Sequence, residues 1–476
     1  MKLLKLILIY VSFSVSTLSA QDLVSYEKIS SISSQELTTT YGIIFNNGVD
    51  FYSVLYTSKD ITGAKDTLSG LACIPDDLSL SYPTLIFQHG TVSSREDVPS
   101  NLQGGYQIAE IFAGLQYVSI APDFVGLGTG RGVHPYLHTD SESWAATDML
   151  IALDELSEEL SIIRNEQLFI TGYSQGGHAA MALHRSLEQD FQGTYKVTAS
   201  APASGPYSIS GKMVDFTLSD MDYLTTAYLA SVTLSMQAAY PIELADYALN
   251  DVFKSDYVSI IEDFRDELVD LWTLNEELTQ LLLTNTGNIR PKDMLKDDIL
   301  DALLNDPTHP MSVALRDNDV YDWAPEAPTR IYYCDGDEQV FYENALLAEE
   351  VMIANGATDV QAVHAGPGQN HTDCVTPSIT GTIFFFAGFK MTSSDYNLDN
   401  KGAYKLLGNP VGDELSIVSN QEGLDSDYSV ISAYGETLLS GKFSGTRSDV
   451  STLELPAGYY YLILNDVQTV IPFVKL

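Results

Sequence analysis

Up to Ala201, and again from Thr329 to Val363, the chain alternates short, dense apolar runs with longer stretches in which apolar residues recur every third or fourth position. Pro83–Gln88 (PTLIFQ), Tyr117–Ala121 (YVSIA), Leu168–Thr171 (LFIT), Lys196–Ala201, Thr329–Tyr333 and Asp359–Val363 are short and rich in β-branched or aromatic residues, the mark of buried strands. Between them, Ile108, Ile111, Phe112 and Leu115 share one helical face, and Ser141–Leu160 sets Trp144, Ile151 and Leu160 among acidic residues. Strands alternating with helices predict a parallel sheet covered on both faces, with its functional loops at the carboxyl ends of the strands. Ahead of this region, Tyr52–Ser58 and Thr67–Ile74 alternate as antiparallel edge strands do. Asp22–Thr40 is polar and shows no clear pattern.

The alternation stops at Pro206 and resumes at Thr329. In between, Ile260, Phe264, Leu268, Leu271, Leu274 and Leu278 recur at helical spacing with acidic residues among them. A segment of about 120 residues is too long for a plain loop, so 206–328 is expected to be a helical insertion. It is either a cap whose apolar face encloses a substrate or a packing subdomain. After Asp359–Val363 comes a loop with Gly and Pro, then an apolar helix near Ile379–Phe389. Around Met391–Lys401 Ser, Asp and Asn replace apolar residues, and beyond it Glu414–Val418, Tyr428–Ala433, Glu436–Lys442, Ser451–Leu455 and Tyr459–Leu464 alternate between turns. These predict a small all-β sandwich. The expected organisation is a leader at 1–20, an α/β domain at 21–395 carrying the insertion at 206–328, and a β domain at 402–476.

Composition adds compartment and excludes some partners. Lys2 and Lys5, the apolar run Leu3–Val15 and Ser19-Ala20 before Gln21 form a secretory signal peptide, the apolar run being too short to span a bilayer. The protein is therefore expected outside the cytoplasm, secreted or at the cell surface, and not as an integral membrane protein. With 64 acidic against 24 basic residues the net charge is −40, a surface that repels phosphate backbones and excludes nucleic-acid binding. Three cysteines, Cys73, Cys334 and Cys374, permit one disulfide in an exported chain, and Cys334 and Cys374 meet if their two loops converge.

The chemistry centres on Gln167–His178, QLFITGYSQGGH. A strand ends in Gly172-Tyr173-Ser174-Gln175-Gly176-Gly177 and a helix follows, placing Ser174 at the apex of a turn too tight for side chains two residues to either side. Such a serine needs a base, and the base needs a carboxylate to orient it. In a sheet of this kind the acid follows the next-to-last strand and the histidine the last, which selects Asp337 and His371. Asp335, on the same loop, is the competing acid. The oxyanion donors are expected to be the backbone N–H groups of Gln175 and of Thr91 in the His89-Gly90-Thr91 turn. His364 reads as structural, and His89, His134, His138 and His178 as loop or helix-start residues that line the pocket without titrating in catalysis. Gly126, Gly128, Gly130 and Gly132 do not fit a dinucleotide loop, and neither a paired-cysteine zinc pattern nor HExxH occurs, so no metal or organic cofactor is implied.

Taken together, HGT, APDFVGLGTG with HPYLH after it, GYSQGGHA, CDGDEQV and NHTDC resemble the α/β-hydrolase superfamily, and within it the secretory-lipase-like, lipase A-type esterases with a helical cap. The resemblance covers nearly all of Thr38–Lys390 and implies an ester hydrolase with Ser174, Asp337 and His371 as its triad and a small-molecule or lipid ester as substrate. NPVGDELSI, YSVISAYGETLLSGKF and LPAGYYYLIL, with Lys475-Leu476 at the end, resemble the C-terminal sorting domain of type IX secretion substrates, which implies that the secretion machinery is a partner. A serine peptidase on the same scaffold and a surface binding protein with a decayed hydrolase domain are the alternative functions.

Overall fold

The computed structural model describes residues 22–391 apart from 46 and 192–193, and within the C-terminal region residues 404–406, 411–419, 426–432, 437–456, 458–464 and 469–475. The expected leader at 1–20 and the polar boundary at 395–402 lie outside the described residues.

In chain order the first part comprises β1 (Leu23–Ile32), α1 (Ser34–Tyr41), β2 (Val49–Lys59), β3 (Lys65–Pro75), β4 (Ser81–Gln88), α2 (Gln107–Gly114), β5 (Val118–Pro122), α3 (Thr139–Leu160), β6 (Ile163–Tyr173), α4 (Gln175–Gln189) and β7 (Val197–Ala203). The insertion follows with α5 (Val214–Thr217), α6 (Ala227–Ala239), α7 (Leu249–Val252), α8 (Ser255–Arg265), α9 (Leu271–Thr286), α10 (Asp297–Asn305) and α11 (Pro310–Asp317). The chain then returns through β8 (Thr329–Tyr333), α12 (Glu343–Ala354), β9 (Val360–His364) and α13 (Val375–Ala387).

The nine strands form one sheet in the order β1-β2-β3-β5-β4-β6-β7-β8-β9. From β5 to β9 every pairing is parallel, and β1, β2 and β3 join antiparallel on the far side. This is the mostly parallel α/β sheet expected from the strand–helix alternation, and its architecture agrees with the α/β-hydrolase fold that the motif resemblance implies. Two separate cores fill its faces. Leu150, Leu153, Ile170 and Leu183 pack between sheet and helices on one side, and Phe87, Phe112, Phe169 and Phe386 on the other.

Two expectations about residues 22–391 change. The polar stretch before residue 40 is a strand and a capped helix. Ser33 accepts the Glu36 N–H while Glu36 Oε2 accepts the Ser33 N–H at 2.9 Å, a capping box. Hence β1 is the edge, and β2 and β3 are interior to the sheet. The helical run through Leu268 is also two helices. Glu267 adopts a left-handed φ of 58° between α8 and α9, and Leu268 is 72% exposed.

The C-terminal segment comprises β10 (Tyr404–Leu406), β11 (Glu414–Ser419), β12 (Ser426–Ser432), β13 (Thr437–Phe443), β14 (Arg447–Ser451), β15 (Gly458–Leu464) and β16 (Thr469–Lys475). They form sheets β10-β11-β14 and β13-β12-β15-β16 around Ile417, Val430, Phe443, Leu462 and Phe473. The expected strand at Ser451–Leu455 is instead the end of β14 and a turn, in which the Leu455 N–H donates to the Thr452 carbonyl at 3.0 Å.

Candidate active site

β6 runs through the middle of the sheet and ends at the sharp turn. Ser174 sits there at φ 61°, ψ −123°, a conformation that is strained for a side-chain-bearing residue by about 1–3 kcal/mol. The turn closes only because glycine flanks it. A Cβ on Gly172 would lie 2.0 Å from the Gly176 carbonyl oxygen, and one on Gly176 would lie 2.0 Å from that of Gln88.

The structure brings the three predicted side chains into one line. Ser174 Oγ is 2.9 Å from His371 Nε2, and His371 Nδ1 is 2.7 Å from Asp337 Oδ2. All three are buried, Ser174 being 7% exposed. Asp337 lies in the loop after β8, where its Oδ1 accepts the backbone N–H groups of Gln339 and Val340 at 3.0 and 2.8 Å. These bonds leave Oδ2 for the imidazole. His371 lies in the loop after β9, where its backbone N–H donates to Glu338 Oε2 at 3.0 Å and its carbonyl accepts the Tyr173 hydroxyl at 2.6 Å. Cys334 and Cys374 form a disulfide with Cα atoms 5.9 Å apart, joining the acid's loop to the base's loop. Cys73 is free and buried.

Asp335, the alternative carboxylate, lies outside this line. Asp335 Oδ1 accepts the Gly368 N–H at 2.6 Å and pairs with His364 Nε2 at 3.1 Å, an outer clamp between the same two loops. Chemically, the line of three lets the imidazole accept the serine proton while the carboxylate holds the ring's Nδ1–H and stabilises the imidazolium.

Thr91 and Gln175 line one cavity wall beside the turn. Among the described residues neither backbone N–H has a hydrogen-bond partner, as oxyanion donors require. Asp123, buried after β5, supports the Thr91 turn: it accepts the Ser100 N–H at 3.0 Å and the Ser69 hydroxyl at 2.6 Å, and its carbonyl lies 3.3 Å from His89 Nε2. Burial pushes the Asp123 carboxyl up to about 6. The Thr91 hydroxyl is 2.9 Å from the Tyr136 hydroxyl.

The remaining histidines divide. His89 is fully buried with its Nδ1 on the Gly90 carbonyl, and burial pushes its pKa down. His138 accepts the Ser141 N–H at the start of α3, and burial pushes it down to about 4. His178 is not a pocket residue: it is fully buried in α4 with Nδ1 2.7 Å from Glu142 Oε2 and Nε2 2.8 Å from the Asn318 carbonyl. His134 does line the site. Its Nδ1 is 2.8 Å from the Val125 carbonyl and its Nε2 is 2.8 Å from Gln175 Nε2, while burial of the ring pushes its pKa down to about 4. Gln175 Nε2 also donates to Glu142 Oε1 at 3.1 Å. Glu142 and Asn318 were not anticipated, because nothing in their spacing connects them to Ser174.

Two cavities meet at Tyr136 and Gln175. One, of about 80 Å³, touches Ser174 and is walled by the insertion through Ile209, Val214, Leu218, Leu229 and Leu315. The other, of about 360 Å³, opens beside Thr91 and carries Arg95, Glu267 and Leu268. The helical insertion therefore contacts the site. It is tied down by the Leu271 N–H donating to the Ser93 carbonyl at 2.9 Å, by Arg95 Nε on Glu267 at 3.0 Å, and by the hydroxyls of Tyr223 and Tyr228 on Gln339 at 2.8 and 3.0 Å. Among the described residues no group of three or more His, Cys, Asp or Glu is placed to hold a metal ion, and no helix is long and apolar enough to cross a membrane.

No protein-family model matches the chain, and no curated protein matches it. Solved structures do. A hydrolase candidate from Legionella pneumophila superposes with a TM-score of 0.70 at 22% identity, over 77% of this chain and 98% of that one. The rice cell wall degrading esterase LipA from Xanthomonas oryzae gives 0.66 at 24% identity, over 76% and 95%. Lipase A of Candida antarctica gives 0.52 at 13% identity, over 76% and 83%. The fold is the one these esterase- and lipase-like hydrolases share.

Proposed function

We propose that the protein is a serine hydrolase of carboxylic esters that works through an acyl-enzyme. His371 Nε2 takes the proton of Ser174 as its Oγ attacks the ester carbonyl carbon. The resulting oxyanion is held by the N–H groups of Gln175 and Thr91, and Asp337 stabilises the imidazolium. Collapse of the tetrahedral intermediate breaks the carbon–alkoxy bond, and His371 returns the proton to the leaving alcohol. Water repeats the sequence on the acyl-enzyme, giving the free acid and restoring Ser174. The single observation that carries the reading is the unbroken line from Ser174 Oγ through His371 to Asp337 at 2.9 and 2.7 Å. The apolar cavity at Ser174 favours an acyl ester over a peptide.

The test is turnover of p-nitrophenyl butyrate by the full chain and by Ser174→Ala. Loss of turnover in a folded variant is expected, and undiminished turnover would overturn the proposal. The leader at 1–20 and the C-terminal β segment further support export, with that segment as the portion read by the secretion machinery. Deleting 402–476 should then trap the protein inside the outer membrane, and unchanged release would refute this part.

A further inference from the structure

The peptide unit between Ser174 and Gln175 carries one of the two N–H groups assigned above to the oxyanion, and its plane is set by the strained torsions of Ser174. A relaxed ψ at Ser174 would rotate that N–H away from the site. Something outside the turn must therefore hold Gln175 in place. The Gln175 side chain, 1% exposed, is anchored only through its Nε2. Its Oε1 has no partner among the described residues, while Nε2 meets His134 Nε2 at 2.8 Å and Glu142 Oε1 at 3.1 Å.

The direction of those bonds is determined by chemistry. The His134 Nδ1–H donates to the Val125 carbonyl, so its Nε2 is an acceptor, and the Glu142 carboxylate is an acceptor by nature. A flipped carboxamide would set its oxygen against two acceptors, so only one orientation of Gln175 is satisfied. Glu142 is itself 1% exposed and held from its other oxygen by His178 Nδ1 at 2.7 Å, while His178 Nε2 donates to the Asn318 carbonyl at 2.8 Å. The anchor thus reaches into α3, α4 and the end of the insertion.

We infer that Glu142 and His134 are positioning residues for the oxyanion hole, acting through the Gln175 carboxamide to hold the Gln175 N–H on the tetrahedral intermediate. The inference rests on the ester-hydrolase reading. It assigns Glu142 no contact with substrate. What Glu142 contributes is an acceptor at a fixed place, not a charge. Glutamine at 142 keeps that acceptor: its Oε1 receives the Gln175 Nε2–H while its own amide faces His178 Nδ1.

The experiment measures kcat and KM for p-nitrophenyl butyrate, inhibition by butylboronic acid as a tetrahedral mimic, and thermal midpoint, for wild type, Glu142→Leu, Glu142→Gln and His134→Phe. A misplaced oxyanion donor lowers kcat with little change in KM, by about 10- to 100-fold. Glu142→Leu and His134→Phe should show that loss together with a matching loss of boronate affinity, and Glu142→Gln should stay within about threefold of wild type. Full kcat in both Glu142→Leu and His134→Phe would overturn the inference, as would a loss in Glu142→Gln equal to that in Glu142→Leu, or a loss carried by KM alone. If Glu142→Leu does not fold, His134→Phe at its half-buried site decides the matter. A wild type that turns over no ester and is not inhibited would overturn the hydrolase reading and this inference with it, whereas an active wild type with unaffected variants overturns only the inference.

Discussion

Replacing Cys334 and Cys374 together with alanine tests how far the site depends on a single covalent tie. The bridge closes a loop across a sequence separation of 40. Chain-closure entropy for a loop of that length corresponds to about 4 kcal/mol of stabilisation. The two cysteines flank the chemistry symmetrically, Cys334 three residues before Asp337 and Cys374 three residues after His371. Removing the bridge should therefore loosen the acid loop and the base loop relative to each other. A displacement on the order of 1 Å at reacting groups costs about 100-fold in rate, so kcat should fall by about 10- to 100-fold while the variant is still folded. Urea unfolding followed by fluorescence gives the first quantity and ester turnover gives the second. Wild type treated with reductant in mild denaturant should behave as the variant does, and thiol titration of unreduced, unfolded wild type should find only the Cys73 thiol. An unfolding free energy within about 1 kcal/mol of wild type, together with unchanged kcat, would refute the argument.

Two further predictions concern groups whose positions the fold determines. Asp337→Asn should lower kcat by about 10³- to 10⁴-fold through the wrong imidazole tautomer, whereas Asp335→Asn should remain within about tenfold; comparable losses in the two variants would undo the assignment of the acid. His138, whose folded pKa is lowered from 6.5 to about 4, favours the native state when neutral. That stabilisation is present above pH 6.5 and is lost as pH falls through about 4, amounting to about 3 kcal/mol. His138→Asn, which can still accept the Ser141 N–H, should remove that part of the acid destabilisation in pH-dependent unfolding curves, and identical curves would show that the ring is not responsible.

Much of this architecture was legible in the residue pattern. Interior parallel strands are apolar on both faces and so stand out as dense runs, and the Gly172–Gly177 turn admits so few residues that its sequence announces its shape. The placement of Asp337 and His371 beside Ser174 follows from chain order once those strands are placed. Strand β1 was not legible for a physical reason. It is an edge strand whose residues are largely exposed, Leu23 being its one fully buried residue, so it carries no alternation. The helix break at Glu267 was hidden because the apolar spacing continues across it, Leu268 filling the phase while pointing to the cleft instead of the core. Leu455 misled in the same way: it is buried, but from a turn. Nor does any local pattern tie Glu142 to Gln175. Their contact exists only because α3 and α4 pack side by side, which no window of sequence contains.

The helical insertion leaves the sheet after β7 and re-enters at β8, and these two strands are hydrogen-bonded neighbours, with Ser200 opposite Thr329 and Ala203 opposite Tyr332. Exit and return therefore share one seam, and none of the nine strands needs the intervening residues to find its partner. The roof over Ser174 is in this sense a cassette. The scaffold beneath, with glycines that tolerate not even a methyl group, has little freedom to vary, while the roof can be exchanged for another of different contour with every strand pairing preserved. Diversification of what the site accepts then runs through 206–328, at no cost to the register that holds the reacting groups.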